Sequence, residues 1–293
     1  MKKILITGAG SYIGTSFERY LKENYPGRYE IDTVDMIGDG WYQKDFGGYD
    51  SVFHVAGIAH VDHGKIGKEK ADRYYAVNTD LTIETAKKAK HDGAKQFIFM
   101  SSSVVYGDSA PIGRRKVITK DTAVSPTNCY GESKVRAEKG LRLLDDEQFR
   151  VVVLRPPMVY GRGCKGNYPV LSGFARKSPL FPYVKNERSM LYIENLCEFV
   201  RLMIENGERG LFFPQNRRYS NTSELVKMIA QAHGKKIWLV RGFSWALRLL
   251  GHMVGTVNKA FGNFVYEMSM SEYPEPYKLV DLKESVERTE ALL

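Results

Sequence analysis

The chain has 293 residues, 43% hydrophobic and 12% aromatic, so it is long enough to bury a sizeable core and too apolar for a disordered protein. Forty-three Lys and Arg against 34 Asp and Glu leave a formal charge of +9, which suits nucleic acid, an acidic membrane surface, a small phosphorylated ligand or an ordinary basic surface. Cys129, Cys164 and Cys197 form no CxxC pair, which argues against a disulfide framework or a zinc cage and fits a reducing cytoplasm.

The first part of the chain alternates strand-like and helical patterns. The run from Lys3 to Thr7 predicts a strand, and apolar residues from Ile13 to Tyr25 recur at helical spacing. The opening MKKILITGAG has three apolar residues before its glycines, too few for a signal peptide or a membrane span. Further strands are predicted at 30–35 and 51–55, followed by a helix over about 72–91.

The same alternation continues through a strand at 96–100, a helix over about 129–144 and a strand at 151–154. It predicts an α/β fold with a doubly wound parallel sheet of the Rossmann type and right-handed crossovers. We expect this domain to span 1–164, and we expect the chain to return to it over residues of about 188–215. The remaining segments of 165–293 are expected to form a smaller C-terminal substrate-binding lobe.

The stretch TGAGSYIG at 7–14 follows the first predicted strand. Its glycines, Gly8, Gly10 and Gly14, do not fit GxGxxG, because the last arrives one residue late. Spacing of three and three gives TGxxGxxG with Ser11 in the middle place. Such a turn brings main-chain N–H groups to a pyrophosphate at a helix start, and the Ser11 hydroxyl is itself able to bond a phosphate oxygen. The plainer alternative is that these glycines only form the turn between a strand and a helix and bind no ligand.

Asp35 supports dinucleotide binding, because it ends the second predicted strand 21 residues after Gly14. An acid at that place takes the adenosine ribose hydroxyls of NAD and repels the extra phosphate of NADP. Asp32 competes for the role from within the strand.

The segment NCYGESK at 128–134 opens a predicted helix and places Tyr130 and Lys134 four residues apart, on one helix face. A free tyrosine titrates near ~10, and a nearby ammonium group would favour its phenolate. The pair predicts a general base. By spacing alone, a solvated lysine beside a half-buried tyrosine is the commoner meaning.

Seven motifs follow one another in the order of a known family: TGAGSYIG, Asp35, HVAG at 54–57, AVNTD at 76–80, SSSVVYG at 101–107, YGESK at 130–134 and LRPPMVYG at 154–161. Through them the chain resembles the extended short-chain dehydrogenase/reductase family, the NAD-dependent epimerases and dehydratases of nucleotide sugars. The resemblance covers residues 1 to about 200, including RSMLYIENL at 188–196, and departs from the pattern at Ser11.

The resemblance implies that Tyr130 is the base and that Lys134 holds the nicotinamide ribose while lowering the tyrosine pKa. It implies a serine that bonds the reacting oxygen, namely Ser102 with Ser103 as a substitute. It assigns the substrate phosphates to Arg188 and Asn167, with Ser103 also at the substrate. Besides Tyr130 and Lys134, the positions implied for the cofactor are Gly8, Gly10, Ser11, Tyr12, Ile13, Gly14, Asp35, Asp45, Val55, Ala56, Gly57, Asn78 and Pro157.

The family's dehydratases and decarboxylases carry an acid, and its fucose-synthase-like members a cysteine, where this chain has Ser103 and Val104. Their reactions are therefore disfavoured. What remains is 4-epimerisation, ranked first, or one-way reduction of a 4-keto sugar in surface-polysaccharide synthesis. The resemblance implies NAD rather than NADP, a UDP-linked sugar and a homodimer. A non-catalytic NAD-sensing protein of the same fold is the third reading.

Other candidates receive plainer interpretations. We expect no metal site, and His60 and His63 in AHVDH are expected to line a loop or face solvent. Cys129 is expected to be a small buried helix residue. The amphipathic segment 243–265 is expected to pack in the core under the sugar, with peripheral attachment to an acidic membrane as the lesser alternative. No nucleic-acid reader is recognised, and a cytoplasmic location is expected.

Overall fold

The protein is described by a computed structural model over residues 1–59, 67–243, 247, 258 and 260–291. The chain divides into two compact units. The first unit comprises 1–107, 123–156 and 196–214, and the second comprises 108–122, 157–195 and 215–293. The expectation of a domain at 1–164, rejoined near 188–215, differs from this division mainly at 108–122 and 157–164. The assignment of cofactor to one unit and substrate to the other stays a prediction.

The first unit is built on a parallel sheet, which has six strands among the described residues. Its strands lie in the order β2-β1-β3-β4-β6-β10. Their bounds are β1 Lys2–Thr7, β2 Tyr29–Val34, β3 Ser51–His54, β4 Gln96–Met100, β6 Arg150–Leu154 and β10 Gly210–Phe212. The chain runs from β1 outward to β2 and then returns to β3 on the other side of β1, which makes the β1 and β3 carboxyl ends a topological switch point. The predicted doubly wound sheet is confirmed.

Helices connect these strands: α1 Tyr12–Asn24, α2 Lys68–Tyr75, α3 Leu81–His91, α4 Cys129–Arg142 and α6 Ile193–Glu205. The central strands are almost wholly buried and consist of apolar runs such as the QFIFM of β4, as expected for a sheet covered on both faces. The core on one face joins Phe97 and Phe99 of β4 to Ala86 of α3 and to Ala137 and Leu141 of α4.

The helix predicted over 72–91 is interrupted. Residues Ala76–Asp80 form a π-helical turn between α2 and α3. Such turns often occur at functional sites, and this one carries Asn78.

The second unit contains short elements in the described part of the chain. Its strands form three parallel pairs: β5 Val117–Ile118 with β12 Val265–Tyr266, β7 Met158–Tyr160 with β9 Met190–Tyr192, and β8 Leu180–Pro182 with β11 Trp238–Val240. Its remaining helices are α5 Asn167–Lys177, α7 Thr222–Ala232 and α8 Leu282–Glu290.

Two sequence predictions fall largely outside the described residues. His60 and His63 lie outside them, as does most of the amphipathic segment 243–265. The described end of that segment includes Phe261 and Phe264, which are buried. Among the described helices, none is long and apolar enough to cross a lipid bilayer.

Candidate active site

The glycine turn between β1 and α1 needs glycine for two separate reasons. Gly8 and Gly10 have φ angles of +93° and +75°, a region that other residues rarely adopt. A Cβ atom on Gly8 would also lie 2.8 Å from the main-chain nitrogen of Ala56, just beyond β3. The turn therefore packs directly on the neighbouring loop at the switch point of the sheet.

Ser11 is the N-cap of α1, and its hydroxyl oxygen accepts a hydrogen bond from the N–H of Gly14 at 3.2 Å. The hydroxyl proton is left to donate to an anion at the helix start, where the helix dipole also favours negative charge. Gly14 lets α1 approach the sheet, since a Cβ there would lie 3.1 Å from the side chain of Ile6 and 3.2 Å from that of Val55. Tyr12 and Ile13 open the helix. Serine in the middle of the motif thus supports an anion site at this turn.

Asp35 is the first residue after β2, and its exposed carboxylate accepts a hydrogen bond from the N–H of Ile37. Asp32 lies inside the strand and accepts a bond from the hydroxyl of Tyr49 at 2.6 Å. Asp45 accepts from the N–H of Gly47 in a local turn. Of the two acids that competed for the ribose, Asp32 is therefore engaged by the protein, whereas Asp35 extends beyond the strand.

Asn78 is fully buried and holds the loop after β3 in place. Its Oδ1 accepts a hydrogen bond from the N–H of Ile58 at 2.8 Å, and its Nδ2 donates to the Ile58 carbonyl and to the Ser133 hydroxyl. These bonds use both amide protons. The contacts assign Asn78 a positioning role, in which it ties the Gly57 loop to α4.

Tyr130 lies in the first turn of α4, where Asn128 caps the helix. The hydroxyl of Ser102, just beyond β4, lies near enough to the phenol to lower its pKa, and the Tyr130 ring lies 6.2 Å from the ring of Tyr74. The structure thus places the predicted base and the predicted serine near each other.

Lys134 is buried, and its ammonium donates to the main-chain carbonyl of Met100 at 2.8 Å. It also lies 4.6 Å from the centre of the Phe99 ring. Burial lowers the pKa of Lys134 to about 8, although the carboxylate of Glu138 raises it. A Cβ on Gly57 would lie 3.5 Å from the Lys134 ammonium, so the absence of a side chain at Gly57 leaves that group room for a ligand.

The expected effect of Lys134 on the Tyr130 pKa is not observed. Burial raises the pKa of Tyr130 above its ordinary value, while the nearby hydroxyl of Ser102 lowers it. The ammonium of Lys134 is directed to Met100 instead. The expectation was based on the spacing of four residues between Tyr130 and Lys134. In the protein without a ligand, however, burial has the largest effect on the pKa of the phenol.

Ser103 begins a 3₁₀ turn that ends at Tyr106. Its N–H donates to the carbonyl of Pro156 at 2.9 Å, and its side chain is partly buried. Cys129, expected to be buried, is the first residue of α4 and is partly exposed.

A group that sequence reasoning missed lies behind Lys134. Glu138, one turn further along α4, accepts hydrogen bonds from the Ser101 hydroxyl and from the guanidinium of Arg155. Arg155 also donates to the Tyr106 hydroxyl at 2.6 Å. The signal was present in the sequence, because Glu138 continues the spacing of four from Tyr130 and Lys134.

In the second unit, the predicted phosphate residues Asn167 and Arg188 line one cavity of about 70 Å³. Arg188 is largely but not fully buried, and this burial lowers the pKa of Arg188 to about 10. Its guanidinium donates to the carbonyl of Gly262. The hydroxyl of Ser220, also in the cavity wall, is buried without a hydrogen-bond partner among the described residues. A buried cation beside an unsatisfied hydroxyl suits an anionic ligand. Pro157, also predicted to contact the cofactor, is buried at the start of this unit.

Comparison with known proteins agrees with this geometry. The profile of the NAD dependent epimerase/dehydratase family matches residues 4–213. A UDP-glucose 4-epimerase of Vibrio cholerae is 32% identical over 274 residues, covering 87% of this chain and 83% of that protein. An Escherichia coli O157:H7 4-epimerase of N-acetyl-glucosaminyl-diphospho-undecaprenol is 27% identical, covering 80% and 73%.

Among solved structures, a UDP-glucuronic acid 4-epimerase from Bacillus cereus with NAD has a TM-score of 0.71 at 18% identity, covering 98% of this chain and 97% of that one. A dTDP-4-dehydrorhamnose reductase from Clostridium acetobutylicum has a TM-score of 0.71 at 18% identity, covering 98% of each chain. At this identity the likeness shows the fold. Together with the glycine turn and the Ser102, Tyr130 and Lys134 group, the match over 4–213 shows that the chain is an NAD-dependent enzyme of the NAD-dependent epimerase/dehydratase family.

Proposed function

We propose that the protein is a 4-epimerase of nucleotide sugars, acting on a UDP-hexose or a UDP-N-acetylhexosamine by transient oxidation at C4. The observation that carries the proposal is that the Ser102 hydroxyl lies near the buried Tyr130 phenol, one helical turn from the buried ammonium of Lys134, which is held by the carbonyl of Met100. The 32% identity to the Vibrio cholerae UDP-glucose 4-epimerase supports both the reaction and the uridine nucleotide.

Residues of the first unit fit the cofactor. The glycine turn and the Ser11 cap would hold the pyrophosphate, Asp35 the adenosine ribose, and Lys134 the nicotinamide ribose near Gly57. The exposed carboxylate of Asp35 supports NAD over NADP, because an extra phosphate there would be repelled. NAD, when bound, supplies a hydride acceptor for C4 and returns the hydride to the sugar.

Tyr130 is the proton acceptor in this proposal. Its phenolic oxygen takes the proton of the C4 hydroxyl as the carbonyl forms. It gives a proton back after the 4-keto sugar has rotated to present its other face. Ser102 donates a hydrogen bond to the reacting oxygen. Because burial raises the pKa of Tyr130 in the protein by itself, the positive charge of Lys134 and that of the oxidised cofactor would have to favour the phenolate once the site is filled.

Elimination of water is a poor fit for this chain. Dehydration would need an acid beside the reacting carbon, and the two positions after Ser102 carry a hydroxyl, Ser103, and an alkyl group, Val104. The chemistry that remains requires only a hydride and a proton to move, once in each direction for epimerisation and once in total for reduction, and Tyr130 can carry the proton.

The substrate diphosphate would bind in the cavity of the second unit. Arg188 supplies a planar donor set suited to phosphate oxygens, and Asn167 and the unsatisfied hydroxyl of Ser220 add further donors. We therefore add Ser220 to the proposed substrate residues. Replacing Ser220 with Ala is expected to raise KM for the nucleotide sugar without a matching fall in kcat.

A one-way 4-keto reductase is the second candidate, because the likeness to the Clostridium acetobutylicum reductase has the same TM-score as the likeness to the Bacillus cereus epimerase. A non-catalytic NAD sensor is the third. It would have no use for the complete group of Ser102, Tyr130 and Lys134.

One experiment separates the three. Purified protein is incubated with UDP-glucose, UDP-galactose and their N-acetyl forms without added cofactor, and C4 inversion is followed by NMR. In parallel, a 4-keto nucleotide sugar is supplied with NADH, whose consumption is followed by absorbance. Inversion without net NADH use supports the epimerase, stoichiometric NADH use supports the reductase, and inactivity in both arms with NAD bound supports the sensor.

A homodimer is part of the proposal. In the family, subunits pair through two helices, including the one that carries the catalytic tyrosine. In this chain α3 and α4 pack closely, since a Cβ on Gly140 would meet the side chain of Ile83. Light scattering after size exclusion would measure the mass, and a monomer at all concentrations would contradict this part of the proposal.

A further inference from the structure

The second unit carries exposed apolar side chains and exposed cations on neighbouring elements, a set that we call the α5 face. Its apolar members are Val170 and Phe174 on α5, Leu180 on β8 and Trp238 on β11, each more than half exposed. Its cations, all exposed, are Arg176, Lys177, Lys235, Lys236 and Arg241. A single exposed apolar side chain is ordinary, but four large ones grouped together indicate a binding surface.

Contacts within the unit bring the elements that carry these side chains together. Leu180 and Trp238 are register partners on adjacent parallel strands, and the Trp238 N–H donates to the carbonyl of Pro179 at 2.9 Å. Val170 and Phe174 lie four residues apart on one helix face. The ammonium of Lys235 donates to the carbonyl of Arg176 at 2.6 Å, which ties the β11 side to the end of α5.

The charge of the α5 face is not compensated. None of the 34 Asp and Glu residues of the chain falls in residues 148–186 or 225–266, whereas these segments carry seven and six Lys or Arg. In the described part of these segments, the five cations of the α5 face form no ion pair. Two of them lie near aromatic rings instead: Lys236 is 5.5 Å from the Trp238 ring, and Arg241 is 5.3 Å from that of Tyr183.

We propose that the α5 face binds the surface of an anionic lipid bilayer. Lys and Arg match the acidic headgroups, while Trp238, Leu180 and Phe174 enter the boundary between headgroups and acyl chains, where amphipathic rings are favoured. A nucleic acid would satisfy the cations but would leave the aliphatic side chains of Val170 and Leu180 without a partner. The face lies on α5, whose Val170 also lines the cavity of Arg188. The proposal does not depend on the reaction catalysed.

The test is sedimentation with vesicles. The full-length protein is mixed with vesicles of equal parts phosphatidylglycerol and phosphatidylcholine, and separately with pure phosphatidylcholine. We expect the protein to pellet with the anionic vesicles, at least tenfold more than with neutral ones, and to be released when salt rises from about 50 mM to about 500 mM, because the Debye length shrinks.

Two pairs of matched variants separate charge from apolar contact. The double reversal Lys235→Glu with Lys236→Glu is expected to reduce pelleting at least tenfold. The same reversals at Lys87 and Lys120, both exposed and distant from the α5 face in sequence, control for net charge. Leu180→Ser with Trp238→Ser is expected to weaken pelleting with anionic vesicles, whereas Ile37→Ser with Leu143→Ser, also exposed, should not.

The proposal is overturned if the protein stays in solution with anionic vesicles, or if the variants of the α5 face pellet like the wild type. It is also overturned if light scattering shows self-association that the Leu180 and Trp238 variant abolishes, since the face would then be a contact between copies of the chain. An epimerase or reductase assay on the same variants keeps this outcome distinct from failure of the proposed function.

Discussion

The ammonium of Lys134 lies 2.8 Å from the carbonyl oxygen of Met100, the last residue of β4, and donates a hydrogen bond to it. The lysine is therefore held by the end of the strand that leads to Ser102, whose hydroxyl lies near the Tyr130 phenol. The geometry of the proposed base is set by main-chain structure, before any ligand binds.

Replacement of Tyr130 with Phe should lower turnover by roughly 10²- to 10⁴-fold, because the proton acceptor is lost while the ring remains. Cofactor retention, measured by mass spectrometry of released ligand, should be little changed. Tyr42→Phe, at an exposed tyrosine of the same unit, is the control. A Tyr130→Phe protein with most of its activity would remove the proposed mechanism.

The pH dependence of turnover should report Lys134. Since its pKa is about 8, the ammonium charge is present below that pH and is lost as pH rises through it, so kcat/KM is expected to fall above pH 8. Glu138→Gln removes a charge that raises the pKa of Lys134, which should move this fall to lower pH by up to about one unit.

The matched control is Glu132→Gln, on the same helix but paired with Arg136 at the surface. A profile that is the same in wild type and Glu138→Gln would show that Glu138 does not act on Lys134.

Selectivity between the two dinucleotides should depend on Asp35. Asp35→Asn is expected to lower the ratio of the affinity for NAD to that for NADP by roughly tenfold or more, because the carboxylate that repels the extra phosphate is gone. A tenfold change in this ratio corresponds to about 1.4 kcal/mol of binding free energy. Fluorescence titration with both reduced cofactors measures the ratio. Asp32→Asn should lower stability through loss of the Tyr49 contact and leave the ratio as it was; the reverse result would assign the ribose to Asp32.

The glycine turn offers a paired stability test. Gly10→Ala adds backbone strain of about 1–2 kcal/mol, because φ at this position is +75°. It adds no steric clash, because a Cβ there would have no atom within 4 Å. Gly8→Ala adds a similar strain and a clash with the Ala56 main chain, for a further loss of roughly 1–3 kcal/mol. Urea unfolding of the cofactor-free proteins should therefore rank Gly8→Ala below Gly10→Ala. Equal losses would mean that the approach to Ala56 is relaxed in solution.

His54 should make the protein sensitive to acid. It is fully buried between the hydroxyls of Thr7 and Thr82, and burial lowers the pKa of His54 to about 3, with the charge of Lys134 acting in the same direction. Between about pH 6.5 and 3 the unfolded chain binds a proton that the folded chain does not. The free energy of unfolding is therefore expected to fall as pH drops through this window, by roughly 4 kcal/mol at its lower end.

Urea unfolding at pH 7 and pH 4.5 measures the effect. His54→Gln should start less stable but lose less between the two pH values. His91→Gln, at an exposed histidine, should follow the wild type. A wild-type stability that does not change between these pH values would contradict the assignment.

Much of the first unit could be predicted because its signals are local. The apolar run of β4 matched the structure residue for residue, and Ser11 and Asn128 mark the starts of α1 and α4. That Ser102 and Tyr130 would lie near each other could be expected from the end of β4 and the start of α4, because both lie at the same edge of a parallel sheet.

Other features depend on residues distant in sequence and could not be inferred from local patterns. The π-helical turn at 76–80 could not be recognised in the sequence, because the helical spacing of apolar residues continues through it. Its Asn78 is held by Ile58 and Ser133, which are distant in sequence. The raised pKa of Tyr130 depends on burial by the folded chain. Ser220, in a different segment from Arg188, is brought to it by an isolated antiparallel bridge.

Two successive residues that follow the core of β4, Met100 and Ser101, are bound by different turns of α4, through Lys134 and Glu138. A shift of α4 along its axis by one residue would break both hydrogen bonds together. The register of the helix against the sheet is thus fixed at two points, and small displacements of the Tyr130 phenol on the same helix are resisted by both bonds.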